Sequence, residues 1–187
     1  MNDLNEIQSI LKTEFAAFET SDSGILNFTQ TVMQYLPEYY FRKRANGKEN
    51  IILLLAKSSF IIANMLFKMD YYMRKFEMSE RDCIRSALLL CDGFVYGAEN
   101  IVPAGTHEDP NHPKLMSVFI AHEKWNDLLP AFIRQDIADC VETHSGQWAN
   151  LRKPTTEMEQ FVHMCVYLAT RPECTVRLPI SASYYQR

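Results

Sequence analysis

Along most of this chain apolar residues recur every three or four positions, the repeat of one helix face rather than of a strand. Only six glycines and eight prolines interrupt the pattern, which predicts an all-α domain. Ile7, Ile10, Leu11, Phe15 and Phe18 mark a first amphipathic helix. Ile25, Phe28, Val32 and Leu36 mark a second that ends near Pro37, and the two are expected to form an N-terminal layer or lid. The most apolar stretch, Ile51 to Phe67, is broken by Lys57, Ser58, Ser59 and Asn64. It falls short of the roughly 20 apolar residues a membrane span needs and reads as a buried core helix. Ser79 and Asp82 have the spacing of a helix start, opening a helix that runs through Leu88, Leu89 and Leu90 toward Asp92. Gly93 to Pro113, with Gly97, Pro103, Gly105 and Pro110, is a long irregular loop of the kind that often carries function. Further helices are expected from about His112 to Trp125, Leu129 to His144 and Thr155 to Thr170. The C-terminal segment, with Pro172 and Pro179, reads as extended or frayed.

A chain of 187 residues can bury a sizeable core as one compact bundle, and 47% hydrophobic with 22% charged residues excludes a disordered or low-complexity scaffold. The expected organisation is N-terminal helices and a basic loop over 1–48, a main helical domain over 49–173 and a tail over 174–187. Nineteen basic against 23 acidic residues give a net charge of −4, too mild for general nucleic-acid or anionic-membrane binding. Five scattered cysteines without a CxxC pair fit a reduced compartment. The opening residues lack the basic and apolar regions of a secretory signal, so a cytoplasmic location is expected. Between Phe41 and Asn50, Arg42, Lys43, Arg44 and Lys48 surround Gly47. This segment is either a solvated loop or an anion contact, since these side chains and a turn glycine supply many donors. Tyr35, Tyr39, Tyr40 and Phe41 are either a packing stripe or a stacking surface for bases.

The order of an apolar helix, SALLLCDGFVYG, HEDPNHPKLMSVFI, IADCVETHSGQW and MEQFVHMCVYLATRPE resembles that of the HD-domain phosphohydrolases, over about Glu49 to Glu173. The resemblance is closest to small HD proteins of bacteriophage genomes, in which a His-Asp pair continues as Asp-Gly-x-Lys-x-Gly. Here Asp92, Gly93 and Gly97 match, while Cys91 stands for the histidine and Val95 for the lysine. A family run Glu-Gly-Gly-Leu-Val-x-His-Thr lies on Glu49 to Ala56 and puts Leu55 at a ligand position; in another register Ser58 or Ser59 takes it. The final family aspartate falls on Val166. Asp92, His112 before Pro113, and His144 persist.

That resemblance implies an HD-like bundle around a metal centre that has lost most of its ligands. It points to a non-catalytic descendant that binds a protein partner or a phosphate-bearing, nucleotide-like ligand, in a bacterial host cytoplasm if phage-encoded. No resident cofactor is then expected. If Asp92, His112 and His144 still converge, they are metal candidates for manganese, iron, magnesium or zinc. Asp92 is then the catalytic candidate, and Lys48 or Lys57 would hold the phosphates of a nucleotide in a metal-dependent phosphohydrolase. Cys91 adds a zinc or nucleophile alternative, set against the buried cysteine that its leucine-rich helix predicts. Each survivor also has a structural role open to it: Asp92 as a cap, His112 as a turn residue, His144 at a helix C-terminus. His107, His122 and His163 match no ligand position and read as surface or packing residues. Leu55, Val95 and Val166 predict a closed, dry centre. A structural or assembly protein, with aromatic and methionine faces as interfaces and self-association open, is the remaining class.

Overall fold

A computed structural model of the chain describes Ser9, Lys12 and residues 23–41, 51–99, 107–146 and 152–171, and every regular element among them is helical. Helix α1 (Ser23–Met33) leads to a 3-10 turn at Glu38–Tyr40. Then come α2 (Ile51–Leu66), α3 (Asp70–Lys75), α4 (Met78–Leu90) and α5 (His112–Ala121). A second 3-10 turn, Glu123–Trp125, precedes α6 (Ala131–Thr143) and α7 (Glu157–Ala169). The apolar positions of the first predicted helix, the basic residues Arg42, Lys43, Arg44 and Lys48, and the C-terminal tail lie outside the described residues. No helix among the described residues is long and apolar enough to cross a membrane.

Helix α4 is the axis of the bundle and packs against α1, α2, α6 and α7, while α5 lies along α6 and α2 along α7. Its last turn has no polar face: Ala87, Leu88, Leu89, Leu90 and the following Cys91 are all buried, so the helix must be enclosed on every side there. Each such leucine contributes about 1.5–3 kcal/mol through burial. The N-terminal layer joins the same core through Ile25, Phe28, Val32, Met33, Leu36 and Tyr40. Between α1 and α4 the buried Thr29 hydroxyl donates to Ile25 O at 2.8 Å and accepts from Ser86 Oγ at 2.7 Å.

Helix boundaries depart from the sequence pattern where side chains override it. Helix α4 starts with a capping box of Glu77 and Glu80, with Glu77 N–H donating to Glu80 Oε2 at 2.7 Å, and not at Ser79. Asp82 points inward, fully buried, and pairs with Arg85 at 2.6 Å. Helix α5 ends at Ala121, short of the expected Trp125. The cause is Arg134, 1% exposed, whose guanidinium takes the carbonyls of Ala121 (3.0 Å), His122 (2.6 Å) and Leu129 (3.0 Å) and the side chain of Asn126. A charged fork thus closes the C-terminus of α5 and the start of α6 together. Helix α7 opens at a capping box of Thr156 and Glu159. Helix α3 has no buried residue and no sequence signal; Arg81 holds it by donating to Met73 O and to Phe76 O at 3.0 Å.

Candidate metal centre

Asp92 sits in the turn that leaves the central helix, and two tyrosines of the N-terminal layer fix that turn. Tyr40 Oη donates to Leu89 O at 2.6 Å, and Tyr39 Oη donates to Gly97 O at 2.6 Å while accepting the Tyr96 N–H at 3.2 Å. Burial pushes the Tyr39 hydroxyl up to about 12, so it stays a proton donor. A Cβ at Gly93 would lie 2.7 Å from Leu36 Cδ2 and 2.9 Å from Met116 Sδ, so glycine lets the turn pack against both side chains without displacing them. The sequence stripe Tyr39–Phe41 is therefore a packing element here, with Tyr40 fully buried.

His112 is the first residue of α5, followed by Pro113, and its backbone is anchored through Asp109. Asp109 N–H donates to Val95 O at 2.8 Å, and its own carbonyl accepts His112 N–H at 3.0 Å and His112 Nδ1 at 2.7 Å. His144 occupies the C-cap of α6, where its Nδ1 meets Val141 O at 2.7 Å. A carbonyl only accepts, so both Nδ1 atoms carry a proton, and Nε2 is the ring atom left to face a metal once it has shed any proton of its own. Those two Nε2 atoms each lie 3.4 Å from Asp92 Oδ1, and the three donor atoms lie within 4.8 Å of one another.

Electrostatics hold the cluster together. Burial alone would raise the Asp92 pKa, but the facing imidazoles of His112 and His144 outweigh it and keep the carboxyl well below the ordinary carboxylate range. For His112, burial works against the imidazolium, yet Asp92 and the Asp109 carbonyl together raise its pKa above the ordinary value. His112 Nε2 is nonetheless a buried nitrogen with no hydrogen-bond partner among the described residues, since 3.4 Å to Asp92 exceeds a well-formed bond. A buried Nε2 facing a carboxylate and a second imidazole belongs to a donor set that fits a divalent transition ion: two imidazoles and one carboxylate leave further positions open. Ser145 Oγ lies 3.2 Å from His144 Nε2 and supplies a hydroxyl beside it.

Asp92, His112 and His144 are thus brought together. Cys91 is not in this group; it is buried, and burial drives its thiol far up, away from a thiolate ligand or nucleophile. Val95 is buried in the core, whereas Leu55 and Val166 are half-buried. Asp92 keeps 19% of its side chain exposed while His112 and His144 are buried, so the cluster is largely enclosed. Lys57 is buried within α2. His107 and His122 are exposed, but His163 is more than a packing residue. Its Nδ1 donates to His144 O at 2.8 Å and its ring lies against Gly146, which has φ +58° and would place a Cβ 2.2 Å from that ring. Neither His163 nor Tyr39 nor Asp109 carries a local sequence signal, because each acts on a backbone carbonyl or turn far away along the chain.

No protein-family model, curated protein or solved structure matches this chain.

Proposed function

We propose that the chain holds a divalent cation between Asp92, His112 and His144 and uses it to hydrolyse a phosphate ester. The observation that carries this reading is the convergence of two imidazole nitrogens and one carboxylate oxygen within 4.8 Å, each ring fixed by a carbonyl at its Nδ1. The reaction class comes from the order of the HD-like segments, an argument by analogy. A bound divalent ion supplies Lewis acidity toward a phosphoryl oxygen and lowers the pKa of a coordinated water. Asp92 provides the negative charge that offsets the ion. Ser145 Oγ provides a hydroxyl at the rim.

A second reading, a binding protein without catalysis, is favoured by Leu55 and Val166, which stand where the resemblance implies two further ligands. Incubation of the purified chain with manganese or zinc and a chromogenic phosphodiester, followed by a nucleotide panel, separates the two. Turnover that needs the metal and falls on the order of a hundredfold in Asp92→Asn supports hydrolysis. Metal uptake without turnover on any of these substrates supports the binding protein and sinks the hydrolase.

A further inference from the structure

Lys124, in the 3-10 turn after α5, carries its Nζ 4.0 Å from the ring centre of Phe119, 4.3 Å from Trp125 and 4.9 Å from Tyr35. The rings meet one another at steep angles, with centroids 5.5 Å apart for Phe119 and Trp125, 5.4 Å for Tyr35 and Trp125 and 6.3 Å for Tyr35 and Phe119. One cation therefore sits within reach of three aromatic rings at once. The inner walls are rigid. Trp125 is buried and its Nε1–H donates to Phe119 O at 2.7 Å, and its ring meets Phe28 edge-on at 6.1 Å, while Phe119 leans on Phe94 at 5.3 Å. Tyr35, 48% exposed, forms the outer wall.

The occupant suits this cage poorly. A primary ammonium has three N–H donors, and the Lys124 Nζ has no carboxylate or carbonyl partner among the described residues. Desolvation against the rings accordingly lowers its pKa. A quaternary or methylated ammonium carries its charge on methyl groups, has few or no donors to satisfy and gains the same attraction from the ring faces. Lys124 is on an exposed turn at the end of a flexible four-carbon stem, so the cage can open without moving its walls.

The geometry points to Tyr35, Phe119 and Trp125 as a binding site for a quaternary ammonium group, with Lys124 as a tethered occupant that such a ligand displaces. A short tether competes like millimolar free ligand, so removing it tightens binding. The site is independent of the Asp92 cluster and stands or falls without it.

The test titrates the full chain with tetramethylammonium and with choline, at ionic strength held constant with sodium chloride, and follows the N-methyl proton signal by NMR. Ring currents from the cage shift that signal upfield on binding. Saturable upfield shifts are expected, about tenfold tighter in Lys124→Ala and in Lys124→Gln than in the unmodified chain. They should disappear when Tyr35→Ala is added to either variant. Absence of a saturable shift in both Lys124 variants, equal affinity with and without Lys124, or binding unchanged by Tyr35→Ala overturns the assignment.

Discussion

Replacing Gly146 by alanine perturbs the fold and the donor cluster through one contact. Gly146 has φ +58°, a region in which a residue with a Cβ costs about 1–2 kcal/mol. The added methyl would also lie 2.2–2.6 Å from three atoms of the His163 ring, so that ring must leave its seat. Its departure removes the 2.8 Å bond from His163 Nδ1 to His144 O, worth about 0.5–1.5 kcal/mol, together with some packing. The sum is about 2–4 kcal/mol, which for a chain of this size lowers Tm by roughly 4–16 °C. In a His163→Ala background the steric part vanishes and only the backbone cost of about 1–2 kcal/mol remains. Thermal or urea unfolding of the two single variants and the double variant therefore yields a coupling of about 1–2 kcal/mol between the sites. An equal cost of Gly146→Ala in both backgrounds would show that His163 does not occupy that seat, and with it the support assigned to His144 would fall.

Arg134→Met leaves the carbonyls of Ala121, His122 and Leu129 without their buried donor and should cost roughly 3–5 kcal/mol in urea unfolding; Arg134→Lys, which lacks the fork, should recover less than half of that. Tyr39→Phe removes the hydroxyl that ties Gly97 O to the Tyr96 N–H and should weaken divalent-metal binding about tenfold in calorimetric titration while the helix content stays unchanged. In metal-free protein the lowered Asp92 pKa gives a stabilising contribution present above the unfolded carboxylate value and lost as pH falls through the depressed one. The raised His112 pKa gives one present below the unfolded histidine value and lost as pH rises through the raised one. The stability gap between the native chain and Asp92→Asn, measured with chelator from about pH 5 to about pH 9, should therefore narrow as pH climbs past the His112 value, while metal affinity rises over the same range because Nε2 must shed its proton.

Helices α1, α2, α6 and α7 were legible because each buries a stripe that repeats every three or four residues, from Ile25 and Phe28 in α1 to Phe161, Val162 and Cys165 in α7. Boundaries were less so. Glu77 is not a usual cap, Arg134 is a charged residue that sequence alone would put in water, and α3 is six residues with nothing buried. Of the donor cluster, Asp92, His112 and His144 stood out through the order of the segments around them. Their supports did not, since Tyr39, Asp109 and His163 reach the cluster by tertiary hydrogen bonds to backbone groups, and such bonds leave no spacing to read. Of Leu55, Val95 and Val166, which suggested a filled centre, Val95 is buried and the other two are half-buried.

The most direct test is the divalent-metal content of the purified full chain, measured by elemental analysis after incubation with manganese, zinc or iron and removal of free ion, beside Asp92→Ala and His144→Ala. Near-stoichiometric metal in the native chain, lost in both variants whose helix content is intact, is the expected result. No bound metal in the native chain, or metal retained in both variants, would contradict a centre built from Asp92, His112 and His144.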